Sequence, residues 1–542
     1  MKRFVAASVF CALLFIVLFG RAGFAPQRLT YAAQPTLQPT ETASPLVTAT
    51  PLPPFTTAPL PTIDWTDVSV HKMAMKPTFA ADVDSFIKAN RYLIVAELRF
   101  EPDAVIRAAQ RVHFTNRTGI PLDVIVFRLY PNTPALGGRM TVDNVTVNGI
   151  PVKPSFAELN SVMGIPLALP LQPNESVEMT MTFGVILSRG LGTSYGRFGY
   201  QNQVVSATAW YPTLSVFDQK TGWWVDLPSP QGDPGYSESG LYDVRLTVPK
   251  EVAVAMSGTI VETTENAENT VTYRDVTGPM RDHAFQASPR YGIKAVTVDG
   301  TTINIVHYKD LLAEKTNGTD EAAEWALNSV KTFNATFGEY PYRELDIVQN
   351  PTPSGVEFPG LVQIAERSWM RGNPYLEIVI AHEIGHQWFY GLIGNDQVNH
   401  PWLDESLTSY TEFVYMRTIY PEGTQAQDYI NNFQRAYTGY VGSGSLDLPL
   451  DLPVRRYVGG GYGAIVYRKG PLFYIELERL LGQETVYKAL WTYFHRYKYQ
   501  IVFSPDVKKV FEEISGQDLT EVFEKWVGGF ASPAANEGGK EG

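Results

Sequence analysis

Ile380-Ala381-His382-Glu383-Ile384-Gly385-His386-Gln387-Trp388 reads H-E-x-x-H, and Glu405 follows eighteen residues after the second histidine. On a helix of 3.6 residues per turn, His382 and His386 point the same way, one turn apart. Two imidazoles at that spacing can share one zinc ion, while Glu383, beside the first, can reach a water on the metal. Glu405 sits in Trp402-Leu403-Asp404-Glu405-Ser406, where a second helix running back after a reversal can present it as the third ligand. A dry helical core has no use for two histidines and two glutamates converging, because burying them without partners is costly. Three protein ligands leave a fourth zinc position for water, the mark of a catalytic rather than a closed structural site.

The flanking sequence supports this helical pair. Asn373 and Pro374 supply an N-cap and a first-turn residue for the helix carrying His382. Gly391 and Gly394 can end that helix and reverse the chain, and the returning helix is expected over about 402–419. Upstream, Asp320 and Glu321 open a segment with Ala322, Trp325, Ala326, Val330 and Phe333 at helical spacing, closed by Gly338. Two strands are predicted between these helices: Leu345–Gln349, and a glycine-entered edge strand in the stretch PTPSGVEFPGLVQIA. Further helices are predicted over 423–437, 460–481, 484–496, 504–514 and 518–530.

From Asp64 to about Lys309 the pattern is different. Short alternating runs rich in Val, Thr and aromatics, among them RYLIVAELRF, DVIVFRLY, SVEMTMTF, YDVRLTVP and VAVAMSGTIVE, are separated by Gly, Pro and Asn. They predict one large antiparallel β domain. The fold class is therefore multidomain α+β, with a β-rich region over 63–309, a mainly helical region over 310–530 and a frayed tail over 531–542.

The N-terminus carries Lys2 and Arg3 before an apolar run from Phe4 to Gly20, then Arg21. This predicts export, through either a cleaved signal peptide or a retained signal anchor within residues 1–33, with residues 4–20 as the membrane tether. Residues 34–62 are rich in Pro and Thr and read as an extended spacer. The expected location is outside the cell or on the outer face of its membrane.

The chain has 542 residues, of which 44% are hydrophobic and 18% charged, with a formal net charge of −12. That balance, with no basic patch, argues against nucleic acid as a partner. The single cysteine, Cys11, rules out a disulfide within the chain and leaves any structural metal to histidines and carboxylates.

These motifs resemble the zinc aminopeptidases related to aminopeptidase N and leukotriene hydrolase, a gluzincin family. The pattern matches His382, Glu383, His386 and Glu405 residue by residue. Gly355-Val356-Glu357-Phe358-Pro359 stands where that family has its exopeptidase motif, and Tyr467-Arg468-Lys469-Gly470 matches its downstream tyrosine motif. Weaker echoes are Trp210-Tyr211-Pro212, His283-Ala284-Phe285 and the segment GQDLTEVFEKWV at 516–527.

The resemblance implies a thermolysin-like helical domain, one Zn²⁺ per chain held by His382, His386 and Glu405, and Glu383 as the catalytic base. It makes Tyr467 the oxyanion donor. Glu357 becomes the carboxylate that binds the free α-amine of a peptide, with Gly355 and the edge-strand backbone holding the peptide itself. Peptides with a free N-terminus are the expected partners. Val356 and Phe358 replace the family's usual Met and Asn. Ala209 and Tyr211 stand near the place of a second amine anchor, so amine recognition is expected to rest on Glu357 alone. The long helical C-terminal domain of larger relatives is missing after the helices that follow Tyr467, which predicts a more open cleft. Glu412, seven residues after Glu405, is either a partner of a zinc histidine or a core or surface carboxylate. His400 reads as a loop residue, and His71, His113, His307 and His495 have no motif context. Two other readings stay open on sequence: an endopeptidase or other hydrolase with the same zinc, and a non-catalytic, envelope-tethered peptide-binding protein.

Overall fold

The computed structural model describes residues 59–100, 103–192, 194–309 and 317–528. The expected signal segment, most of the Pro/Thr spacer and the tail lie outside the described residues. Within them, no helix is long and apolar enough to cross a membrane.

The β-rich region is built of several sheets. The largest has eight strands, ordered Thr259–Glu265, Thr270–Val276, Leu241–Pro249, Arg91–Arg99, Val105–Thr115, Ser176–Ile186, Arg139–Val147 and Ile150–Pro151. Two four-stranded sheets accompany it, and their inward side chains form one apolar core with Met179, Phe183, Trp210 and Phe285 near its centre. The expectation of a wholly antiparallel domain needs correction. Arg91–Arg99 pairs in parallel with Leu241–Pro249, because the long intervening chain returns to the same side of the sheet rather than by a hairpin. The run VAVAMSGTIVE is also two strands in different sheets: Ala253–Met256 pairs with Phe285–Ser288, and Thr259–Glu265 pairs with Thr270–Val276.

A five-stranded sheet links this region to the helices. Its order is Tyr291–Val298, Thr301–Tyr308, Glu344–Asn350, Leu361–Ala365 and Gly355–Phe358. The hairpin 291–308 thus pairs with a strand of the helical region, and the expected boundary at 309/310 falls inside one sheet. Val68, Met75 and Val83 near the start of the described chain also join the helical core. The cause is apolar burial: Ile303 and Ile305 are fully buried and share that core with the helices.

Nine helices follow among the described residues: α1 Thr319–Phe337, α2 Pro374–Gly385, α3 Trp402–Ile419, α4 Gln425–Gly442, α5 Gly461–Ala464, α6 Gly470–Leu481, α7 Gln483–Tyr497, α8 Ser504–Ser515 and α9 Thr520–Trp526. The single helix predicted over 460–481 is interrupted between α5 and α6 by a π-helical turn, Ile465–Lys469. α2 begins as its cap signals require, with the Asn373 side chain accepting a hydrogen bond from the Tyr375 N–H at 3.1 Å. Leu376, Ile380, Ala381 and Ile384 are fully buried, so α2 is a core helix wedged between α1, α3 and the five-stranded sheet. It crosses α3 closely at Gly385, where a Cβ would lie 2.4 Å from the Thr411 hydroxyl. That close crossing brings α3 near enough to aim Glu405 at the histidines.

Candidate active site

α2 and α3 bring three donor atoms to one point. His382 Nε2 and His386 Nε2 are 3.1 Å apart, and Glu405 Oε2 lies 3.3 Å from the first and 3.2 Å from the second. A tetrahedral ion with bonds of about 2.0–2.1 Å holds its ligands about 3.3 Å apart, so the three atoms already form one face of that polyhedron. Glu405 Oε2 is buried and forms no aligned hydrogen bond. A buried carboxylate oxygen aimed at two imidazole nitrogens and bonded to neither fits a shared cation. The donor set of two nitrogens and one oxygen suits zinc.

The other faces of these ligands are fixed by further partners. His382 Nδ1 lies 2.6 Å from Glu412 Oε1, and the other oxygen of Glu412 accepts a hydrogen bond from the Tyr429 hydroxyl on α4. A carboxylate behind a histidine sets which ring nitrogen carries the proton and leaves Nε2 free to bind metal. Of the two roles open for Glu412, the structure shows the partner of a zinc histidine. His386 Nδ1 faces the Phe389 carbonyl at 3.2 Å and the Thr408 hydroxyl at 3.2 Å. Tyr467 donates to Glu405 Oε1, the oxygen turned away from the histidines. Its place in the π-helical turn swings the phenol onto the site, a use of π turns that recurs at functional centres. Burial and the nearby Glu405 hold the Tyr467 hydroxyl well above the usual phenol range, so it remains a donor.

Glu383, next to His382 on α2, packs against the strand Gly355–Phe358 and brings a carboxylate oxygen within 4.8 Å of donor atoms of His386 and Glu357. A Cβ on Gly355 would come within 1.9 Å of Glu383 Oε1, so the absence of a side chain there makes room for that carboxylate. Gly355 thus has a steric role besides its expected one in peptide binding. The strand is an edge of the five-stranded sheet, as predicted, with its outer side available for strand addition. Burial pushes the Glu383 carboxyl up to about 8, although His382 and His386 pull it down. A carboxylate placed in that range can both take and return a proton near neutral pH.

Glu357 is buried, and its Oε1 accepts a hydrogen bond of 2.9 Å from Gln397 Nε2, which also donates to Asp404 at 2.8 Å. Asp233, from the loop after Trp224, pairs with Arg197. Glu357, Asp233 and Glu405 each offer a carboxylate oxygen within 4.8 Å of the others. Glu357 accepts from Gln397 through Oε1, and Asp233 accepts from Arg197 through Oδ1. The expectation that Glu357 stands alone is therefore corrected. Ala209 lines the adjoining pocket and Tyr211 is fully buried with its hydroxyl on Asp282, so neither reaches the amine position. Asp233 instead brings a second carboxylate beside Glu357, from a different loop. Nothing local in Gln231-Gly232-Asp233-Pro234 marks it, because its position depends on Arg197, in the bend before the distant strand Phe198–Gln201.

The electrostatics favour a cation. Asp233, Glu357, Glu383, Asp404, Glu405 and Glu412 converge here, against the guanidinium of Arg197. Burial lifts Asp404 to about 7 and Asp233 well above the usual range. Burial would lower His386, but Glu405 outweighs it and lifts the imidazole to about 10. Excess negative charge is thus offset by protons wherever a metal or ammonium group could take their place. His400, read as a loop residue, lies on Asp451 at 2.6 Å and takes no part.

Comparison with known proteins agrees with this geometry. Residues 321–526 match the peptidase family M1 domain. The chain is 24% identical over 319 residues to aminopeptidase M1-A of Oryza sativa subsp. japonica, a match that covers 56% of this chain and 36% of that one. It is 26% identical over 260 residues to aminopeptidase N of Lactococcus lactis subsp. lactis, covering 45% and 30% respectively. The chain thus spans about a third of the length of these curated relatives. A crystal structure of an M1 zinc metallopeptidase mutant from Deinococcus radiodurans superposes with a TM-score of 0.60 at 18% identity, covering 82% of this chain and 94% of that one, which shows the same fold. With the fold and the matched segment in agreement, residues 321–526 of the chain carry a domain that matches peptidase family M1.

Proposed function

We propose that the chain is a zinc-dependent aminopeptidase that removes N-terminal residues from peptides. The observation that carries this reading is the meeting of two buried carboxylates, Glu357 and Asp233, beside the triad of His382, His386 and Glu405. A pair of anions next to a hydrolytic centre selects a substrate whose positive α-ammonium lies one residue from the bond to be cut. An endopeptidase would gain nothing from it and would leave two buried carboxylates sharing the single guanidinium of Arg197.

His382, His386 and Glu405 would hold the zinc, with Glu412 and Tyr429 fixing His382 from behind. When bound, the ion supplies Lewis acidity to the attacking water and to the scissile carbonyl. The Glu383 carboxylate takes the proton of the water as it attacks and returns it to the leaving amine. The Tyr467 hydroxyl turns from Glu405 to the developing oxyanion and stabilises it with a hydrogen bond. Glu357 and Asp233 accept hydrogen bonds from the α-ammonium, and the edge strand 355–358 aligns the peptide backbone. The reading extends to location. The charged and then apolar segment at residues 2–20 exports the chain, so that its peptides are met outside the cell or at the outer face of its membrane.

The test is to purify the full chain, measure its metal and assay aminoacyl arylamides with and without chelator. About one zinc per chain is expected, with hydrolysis lost on chelation and restored by zinc. Hydrolysis that persists in a metal-free chain, or a zinc-loaded chain inert to every substrate, would overturn the proposal.

A further inference from the structure

Beside Glu357 lies a cavity lined largely by residues of the β-rich region. Glu357, Asp233 and Arg197 line it together with Asp282, Tyr130, Tyr236, Tyr390 and Phe358. Those four aromatic residues are each less than a tenth exposed, so their rings form a largely dry wall. Asp282 is held in place from behind. Its Oδ1 accepts from the Tyr211 hydroxyl at 2.9 Å and the His283 N–H at 2.7 Å, and its Oδ2 accepts from the Thr208 hydroxyl at 3.2 Å.

The wall is held by unusual backbone. Tyr390 has a φ of 137°, which a side-chain-bearing residue rarely adopts, and its carbonyl accepts from Arg281 Nε at 2.9 Å. The same guanidinium donates to the carbonyls of Ser237, Leu392 and Gln500, tying three segments around the cavity. Strain held by that many contacts keeps the Tyr390 ring in the wall.

Charge decides what the cavity accepts. Three carboxylates and one guanidinium line it, a formal excess of two negative charges that protons offset until a cation takes their place. The nearby Arg128 and Arg281 do not line it: Arg281 is spent on carbonyl oxygens, and Arg128 lies between Tyr130 and Trp224. An α-ammonium at Glu357 and Asp233 balances one of the two charges. The second calls for another cation on the same residue, with an apolar stem to lie along Phe358 and Ala209 and a head that aromatic faces and a carboxylate attract.

We propose that this cavity selects peptides whose first residue is lysine or arginine, with the side-chain cation bound by Asp282 among the rings of Tyr130, Tyr236 and Tyr390. The inference rests on the aminopeptidase reading above and adds the substrate class to it.

The zinc-loaded full chain should be assayed with the p-nitroanilides of arginine, lysine, alanine, leucine and glutamate. Arginine and lysine are expected to exceed alanine and leucine at least about tenfold in kcat/KM, mostly through KM, with glutamate the poorest. Asp282→Asn is expected to lower the arginine-to-alanine ratio of kcat/KM at least about tenfold. Tyr236→Leu, which leaves the hydrogen bonds of Asp282 in place, should lower the same ratio, and it decides the matter if the first variant does not fold. Alanine or leucine cleaved as well as arginine would overturn the inference while leaving the aminopeptidase reading intact, as would variants that depress arginine and alanine in proportion. A chain that hydrolyses none of the five would overturn that reading and this inference with it.

Discussion

His382, His386, Glu383 and Glu405 stand on two packed helices, whereas Asp233, Asp282 and Gln397 reach the same site from segments outside helices. The helical half is set by local geometry. Four residues along α2 bring both imidazoles to one face, and the tight crossing at Gly385 delivers Glu405. The other half is set by tertiary contacts. Arg197 holds Asp233, Arg281 holds the wall at Tyr390, and Gln397 bridges Glu357 and Asp404. On the proposed function, the chemistry sits on the helical half and selection of substrate on the half that loop sequence can alter.

This division predicts how variants separate. In the helical half, Glu383→Gln should lower kcat about 10²–10⁴-fold while zinc stays bound, as judged by metal content and single-turnover assay. Loss of zinc instead would make Glu383 part of the metal site. Glu412→Gln should weaken zinc binding about 10–100-fold in chelator competition, because Glu412 orients His382. Unchanged affinity would reduce Glu412 to a packing residue. In the other half, Asp233→Asn should raise KM for substrates with a free amine about tenfold, with zinc affinity unaltered and kcat little changed. An unchanged KM would make Asp233 no more than the counter-ion of Arg197 and break the comparison at that point.

The same division explains what could be read in the sequence. The metal triad, Glu383 and the two helices that carry them follow from side-chain spacing and cap residues, and α3 begins and ends where the pattern sets it. Tyr467 was legible as a residue, but the π-helical turn that aims it was not, since one extra residue in a helical turn leaves no mark on hydrophobic spacing. The parallel pairing of Arg91–Arg99 with Leu241–Pro249 joins strands about 150 residues apart, where alternation fixes the buried face but not the neighbour. The hairpin 291–308 reads as β in isolation, and only the partner of its second strand assigns it to the helical region's sheet. Asp233 carries no mark in its own stretch, which lies away from the segment around Trp210 where a second anchor is expected. Its buried counter-ion Arg197 in Tyr195-Gly196-Arg197-Phe198 was the available signal, a charge in a strand-forming run that needs a partner.

The central claim is that a free N-terminus is read by Glu357 and Asp233 next to a zinc hydrolase centre. It is tested most directly by comparing kcat/KM for one peptide with a free and an N-acetylated N-terminus, using the zinc-loaded chain. The account predicts that the free peptide is cleaved at least about 100-fold faster, the loss expected when two charge-assisted contacts are removed. Equal rates on the two peptides would contradict it.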